Sequence, residues 1–390
     1  MTTSSAIRRS CCANNLKPSA ATAAGLDAAR ARLRAVPRWL LRVMSPKRRA
    51  IDAPAATAHR RRHHERRPIN LALQGGGAHG AFTWGALERL LEEDNLDFDA
   101  LSGASAGAVN AVLLASGLAE GGAGPAREKL AHFWSAISTN PHGDAMTGGL
   151  FDAFPALQRA QQAGFDLMGK FLAPAQFNPL DYNPMRDLLR ELVDFERLRA
   201  LGPALFVAAT DAATGRKRIF TREEMTLEAV LASACLPQLH QPVEVDGRQY
   251  WDGGYVANPP LLPLVQEATA EDTLLIQLIP LADQDVGQDH AGIGEGLTRV
   301  IFNAPLRQEI AALRLMSEAK AGGRFSRHRF HLIDATPTTQ ALPPGSRLAP
   351  DRRLIAHLRE AGRQAAESWL AQNAGGIGQH ATADLAALFL

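Results

Sequence analysis

Cysteine is scarce in this 390-residue chain: there are three, with Cys11 and Cys12 adjacent and Cys235 alone. Neighbouring cysteines rarely bridge each other, so a disulfide framework is excluded, and no Cys/His spacing resembles a zinc site. A reducing compartment is the expected setting, namely the cytoplasm. The chain also lacks any run of 18 uncharged apolar residues, which excludes a membrane-spanning helix. No apolar core of 7–15 residues follows the early arginines, so no secretory signal is read there. Aromatic residues make up 6% of the chain and are not interleaved with its basic N-terminal residues. No nucleic-acid partner is expected.

Negative charge is nearly missing from one end. Residues 1–68 hold 16 of the 42 Lys/Arg but only 3 of the 40 Asp/Glu, leaving 26 against 37 in the other 322 residues, a net of −11. A formal charge of +2 therefore conceals a basic arm on an acidic body. Residues 1–68 show no strand pattern and end in Arg60-Arg61-Arg62-His63-His64-Glu65-Arg66-Arg67. They read as a disordered, solvated N-terminal extension. Competing readings are peripheral attachment to a membrane surface, through a basic amphipathic segment between Leu26 and Met44 that contains Trp39, and an Arg-rich, acid-poor organelle transit peptide.

From Pro68 onward apolar runs alternate with helical patterns. Strands are expected over Ile69–Gln74, Phe98–Ser102, Ala204–Ala209, Thr273–Ile279 and Arg329–Ile333. With helical patterns between several of them, the expected fold is α/β: a mostly parallel central sheet with helices on both faces. Residues 69–281 are assigned to one α/β domain, and 282–390 to helical and strand segments packing on it. A helix is expected over Met185–Phe195 with Pro184 at its first turn, and others near Asn303–Gly322 and Arg352–Gln372. Residues 120–180 lack clear periodicity and read equally as a cap over a site or as irregular helices.

Two glycine-rich turns carry the chemistry. Gly103-Ala104-Ser105-Ala106-Gly107 places a serine between glycines where an apolar strand gives way to an apolar helix, Ala108–Ala119. A strand-to-helix elbow of this kind exposes a nucleophilic hydroxyl. About thirty residues earlier, Gly75-Gly76-Gly77-Ala78-His79-Gly80 opens another helix. The N–H groups of Gly75, Gly76 and Gly77, joined by that of Ala106, are candidates for an oxyanion hole. As a dinucleotide fingerprint the glycine run lacks an acidic residue ending a second strand, because Asp94 and Asp97 lie on a polar turn.

A serine hydroxyl needs a base. His290, His328, His331 and His357 lie downstream without a supporting motif, and His331 reads as a structural residue on a strand. Val243 to Trp251 reads as a hairpin around Asp246-Gly247. It delivers Asp252 into Asp252-Gly253-Gly254, where two glycines admit the close approach of another backbone. The Ser-His-Asp triad of an α/β-hydrolase esterase remains the alternative.

The ordered set of glycine run, Ser105 elbow and Asp252-Gly253-Gly254 resembles the bacterial patatin-like phospholipases. Asn178-Pro179-Leu180-Asp181, Ala232-Ser233-Ala234-Cys235-Leu236-Pro237 and Asn258-Pro259 extend the likeness over roughly residues 69–335. The resemblance implies a lipid acyl hydrolase with Ser105 as nucleophile, Asp252 as base and Gly75 to Gly77 as the oxyanion loop. It implies a fatty-acyl ester substrate and neither metal nor cofactor. A non-catalytic, membrane-associated lipid-binding protein on the same fold is the rival from another class. In one respect the chain departs from the family, whose glycine loop carries Arg or Lys where this sequence has His79.

Overall fold

The computed structural model describes residues 66–138, 183–282, 290–319 and 323–390. Residues 1–65 of the basic arm, most of the segment read as a cap, and Asn178-Pro179-Leu180-Asp181 lie outside these residues, whereas Arg67 and Pro68, read as the end of the arm, open the first strand.

Eight strands form one sheet: β1 (Arg67–Leu73), β2 (Leu96–Gly103), β3 (Ala204–Asp211), β4 (Lys217–Thr221), β5 (Val243–Val245), β6 (Arg248–Asp252), β7 (Asp272–Gln277) and β8 (Arg329–Asp334). Their order is β5-β6-β3-β2-β1-β7-β8, with β4 paired to β3. The run β3-β2-β1-β7-β8 is parallel, whereas β4, β5 and β6 are joined antiparallel at one end. Leu71-Ala72-Leu73 and Leu274-Leu275-Ile276 are buried throughout. Such unbroken apolar stretches fit parallel strands covered on both faces by helices. The hairpin forms as the Asp-Gly signal predicts: Asp246 and Gly247 take φ of 51° and 74°, the pair of positive values that a tight hairpin turn requires.

The helices that bear on the site are α1 (Gly80–Leu90), α2 (Ala106–Gly121), α3 (Ala123–Ser138), α4 (Pro184–Leu192), α5 (Leu227–Ser233), α6 (His290–Glu318) and α7 (Arg352–Asn373). Helix α3 is regular where the sequence shows weak periodicity. Its buried Ala126, Leu130, Phe133 and Trp134 form an apolar face that the surrounding Gly and polar residues obscure. The helix expected to reach Phe195 stops at Leu192, because Asp194 is extended and caps a second short helix by accepting from Arg197 N–H at 2.9 Å. Helix α6 begins thirteen residues ahead of Asn303, through a stretch whose Gly292, Gly294 and Gly296 hide it from propensity.

Helices α1 and α7 cross at very short range. A methyl group on Gly85 would fall 1.9 Å from the Arg359 carbonyl oxygen, and one on Gly362 would fall 2.0 Å from that of Phe82. The crossing is flanked by Arg359, which holds Glu88 in a two-pronged pair with both contacts at 2.7 Å. Arg363 also reaches Glu92 at 3.0 Å. Helix α1 follows directly from the glycine run, so this clamp fixes the ground on which that run stands.

Candidate active site

Strand β2 ends at Gly103, and α2 starts at Ala106. Between them Ser105 adopts φ 54°, ψ −131°, a sparsely populated conformation of the kind that projects a nucleophile from a sharp turn. The turn persists because its surroundings leave no alternative. A methyl group on Gly107 would lie 2.0 Å from the Leu73 carbonyl oxygen, so α2 starts in contact with the end of β1. The Ser105 N–H donates to the backbone oxygen of Ser233 at 3.1 Å and to its hydroxyl at 3.2 Å.

The glycine run lies across the elbow. A side chain on Gly75 would meet the Ala104 oxygen at 2.5 Å and the Ser105 Cβ at 2.7 Å. Gly75 N–H donates to Asn258 Oδ1 at 2.7 Å. That corrects the expectation that all three glycines offer N–H groups to a substrate, because a structural acceptor already holds the first. The N–H groups of Gly76, Gly77 and Ala106 donate to no acceptor among the described residues, and these residues and Ser105 are part-exposed. Beneath the run, Gln74 Oε1 accepts from Leu278 and Ile279 N–H at 2.7 and 2.8 Å. Gln74 Nε2 donates to Asn303 Oδ1 at 3.2 Å. Gln74 and Asn303 were invisible as site residues in the sequence, since each looks like an ordinary polar residue beside a strand or helix.

Asp252 ends β6 and is fully buried. Its Oδ1 accepts from Gly254 N–H at 2.7 Å, while Oδ2 has no partner at standard hydrogen-bond geometry. Burial pushes its carboxyl up to about 7, against the opposing influence of the Gly254 N–H and the nearby Ser105 hydroxyl. The hydroxyl thus lies close enough to stabilise the carboxylate without a well-formed hydrogen bond. Loose pairing of this kind is common in sites without substrate.

One short segment sets this approach. Ser233 holds the Ser105 N–H, and two residues later the Cys235 oxygen accepts the Asp252 N–H at 2.8 Å. Two residues of chain span at most about 7 Å, so the pair of anchors confines the two residues to one locality. The motif around Cys235 therefore has a physical role that only the folded arrangement reveals.

His79 is buried, with Nε2 2.9 Å from Ser346 Oγ. Burial foremost, and then the nearby Arg347 guanidinium, push its imidazole down to about 3, so it is neutral at pH 7. The positive charge beside the glycine run belongs to Arg347 instead. Its guanidinium pairs with Glu295, and although burial lowers it to about 10 it stays charged at neutral pH.

His328, His331 and His357 lie elsewhere. His331 bridges Asp272 Oδ1 at 3.0 Å and Thr382 Oγ1 at 2.8 Å. His328 bonds Thr273 Oγ1 at 2.8 Å. Both are at β8, three strands from β2, or about 14 Å at the usual strand spacing. His357 is exposed on α7, and the His290 side chain is outside the described residues.

A family model described as patatin-like phospholipase matches residues 71–265. That span contains the glycine run, Ser105, the Ser233–Cys235 segment and Asp252. Among solved structures, the crystal structure of VipD from Legionella pneumophila is similar at 15% identity and a TM-score of 0.36, over 79% of this chain and 67% of that one. No curated protein matches.

Proposed function

The chain belongs to the patatin-like phospholipase family, and on that footing we propose that it hydrolyses lipid acyl esters with Ser105 as nucleophile and Asp252 as general base. The observation that carries this reading is the unpartnered Oδ2 of a fully buried Asp252, beside a serine held in a strained elbow. Oδ2 accepts the hydroxyl proton as Ser105 Oγ attacks the ester carbonyl carbon. The oxyanion receives N–H bonds from Gly76, Gly77 and Ala106, and the N-terminal dipole of α2 favours its charge. As the adduct collapses, the carboxyl returns the proton to the departing alcohol, leaving an acyl-serine. Water then attacks that carbonyl, again giving a proton to Asp252. Release of the fatty acid restores the serine hydroxyl.

An aspartate of ordinary acidity is a feeble base for a serine, and burial narrows that mismatch. The carboxylate form is the active one, so kcat/KM is expected to rise through a pH of about 7 and level off above it. A fluorophosphonate probe tests the nucleophile directly. The wild-type protein is expected to form a covalent adduct that mass spectrometry maps to Ser105, and Ser105→Ala to form none. Absence of labelling in folded wild-type protein, or an adduct at another serine, would overturn the assignment.

A further inference from the structure

Helix α6 changes character at Pro305, a residue that interrupts helical hydrogen bonding. Beyond it, Leu306, Ile310 and Leu313 are buried against the core. Ahead of it four apolar residues face outward: Ile293, Leu297, Val300 and Ile301 are 47%, 57%, 64% and 42% exposed. Their spacing of four, three and one places them in one helical stripe. Nine large hydrophobic residues are exposed among the described residues, and four of them lie on these nine positions. Scattered exposed leucines need no explanation, but a contiguous stripe does.

The stripe is tied to the catalytic loops at both ends. Phe302, its next residue, stacks on Tyr255 at 5.0 Å between ring centroids, and its carbonyl accepts from Asn258 Nδ2 at 3.2 Å. The same Asn258 holds the Gly75 N–H. At the other end Glu295 pairs with Arg347, whose carbonyl packs against Gly77. The adjoining Leu348 is itself 49% exposed.

Among its described residues, α6 carries no unpaired carboxylate to repel a lipid headgroup. Each described carboxylate of α6 is paired: Glu295 with Arg347, Glu309 with Lys217, Glu318 with Arg314. No described helix is long and apolar enough to cross a membrane.

We propose that the stripe Ile293, Leu297, Val300 and Ile301 is the face that docks on a lipid surface, bringing the mouth around Ser105 to the interface. This rests on the lipid acyl hydrolase reading. A water-soluble ester reaches Ser105 from bulk solvent, whereas an acyl chain packed in a bilayer must be met at the surface. Insertion of the stripe would supply that contact through apolar burial.

The test uses the full chain, with vesicles of phosphatidylcholine alone or mixed with phosphatidylglycerol. Binding is measured by flotation at high salt, which screens any contribution from the basic arm. Leu297→Glu/Val300→Glu is expected to lower vesicle binding, and hydrolysis of vesicle lipid, by at least about tenfold. Hydrolysis of a short-chain soluble ester should be unchanged, and Leu297→Ala/Val300→Ala should give a smaller loss in the same direction. Equal binding by wild type and both variants would overturn the proposal. So would unchanged binding with a lowered melting temperature, which would mark the stripe as an internal packing surface. A wild type that floats with vesicles but hydrolyses neither ester would sink the catalytic reading and leave the docking face standing.

Discussion

Asp252→Asn is expected to cut kcat/KM for a soluble acyl ester by about 10³-fold or more, and at the same time to make the protein harder to unfold at pH 8. The first effect follows from removing the carboxylate that we propose takes the Ser105 proton. The second follows from linkage. The folded carboxyl titrates near 7, well above its ordinary value of 3.8. Between those values the native state binds more protons than the unfolded chain, so stability falls as pH rises through this window and the full cost is present above it. Asn keeps an oxygen for the Gly254 N–H but carries no buried charge. Relative to wild type it should gain on the order of 2–4 kcal/mol at pH 8 and little at pH 4. Chemical denaturation at the two pH values measures the difference. An Asn variant that is inactive yet shows the same stability difference at both would refute the buried, proton-hungry carboxylate. An active variant would refute Asp252 as the base.

Gly107→Ala should be among the most damaging single methyls in the described residues. The added carbon would sit 2.0 Å from the Leu73 oxygen and 2.9 Å from the Gln74 carbonyl carbon. Both are backbone atoms of the strand end that leads into the glycine run, so no side-chain rotation relieves the clash. Destabilisation of at least about 3–5 kcal/mol is expected, visible as loss of soluble protein or a collapsed denaturation midpoint. Gly124→Ala is the contrast. It lies in α3 with nothing within 4 Å of the added carbon, and exchanging Gly for Ala in a helix should be neutral or stabilising by up to about 1 kcal/mol. Similar behaviour of the two variants would mean that the elbow is not packed as described.

The candidate catalytic residues stood out in the sequence because each sits in a short local pattern. Ser105 lies between glycines, Asp252 follows a hairpin signal, and the glycine run opens a helix. The parallel strands were legible from their apolar runs. What positions these groups was not, because it depends on contacts between distant parts of the chain. Gln74 meets Asn303 from 229 positions away, and Ser233 meets Ser105 from 128. Arg347 shows the same limit. The sequence marks His79 as a departure from a cation, yet no local pattern tells that a guanidinium arrives from a loop near the other end. Strand β4 escaped notice because Lys217-Arg218-Ile219-Phe220-Thr221 is short and half-polar, and it is ordered by the antiparallel ladder to β3.

The place of β7 in the sheet sets where the protein can be cut. The matched span ends at residue 265, ahead of β7, although β7 lies between β1 and β8 and pairs with Asn70 to Leu73. A fragment stopping there would strip the ladder from one whole side of β1, the strand whose last residue feeds the glycine run. It would also remove α7 from its crossing at Gly85. A raw, apolar strand edge of this sort recruits other chains. The smallest heritable unit of this catalyst is thus larger than its recognisable signature, and a shortened version should precipitate before it merely slows.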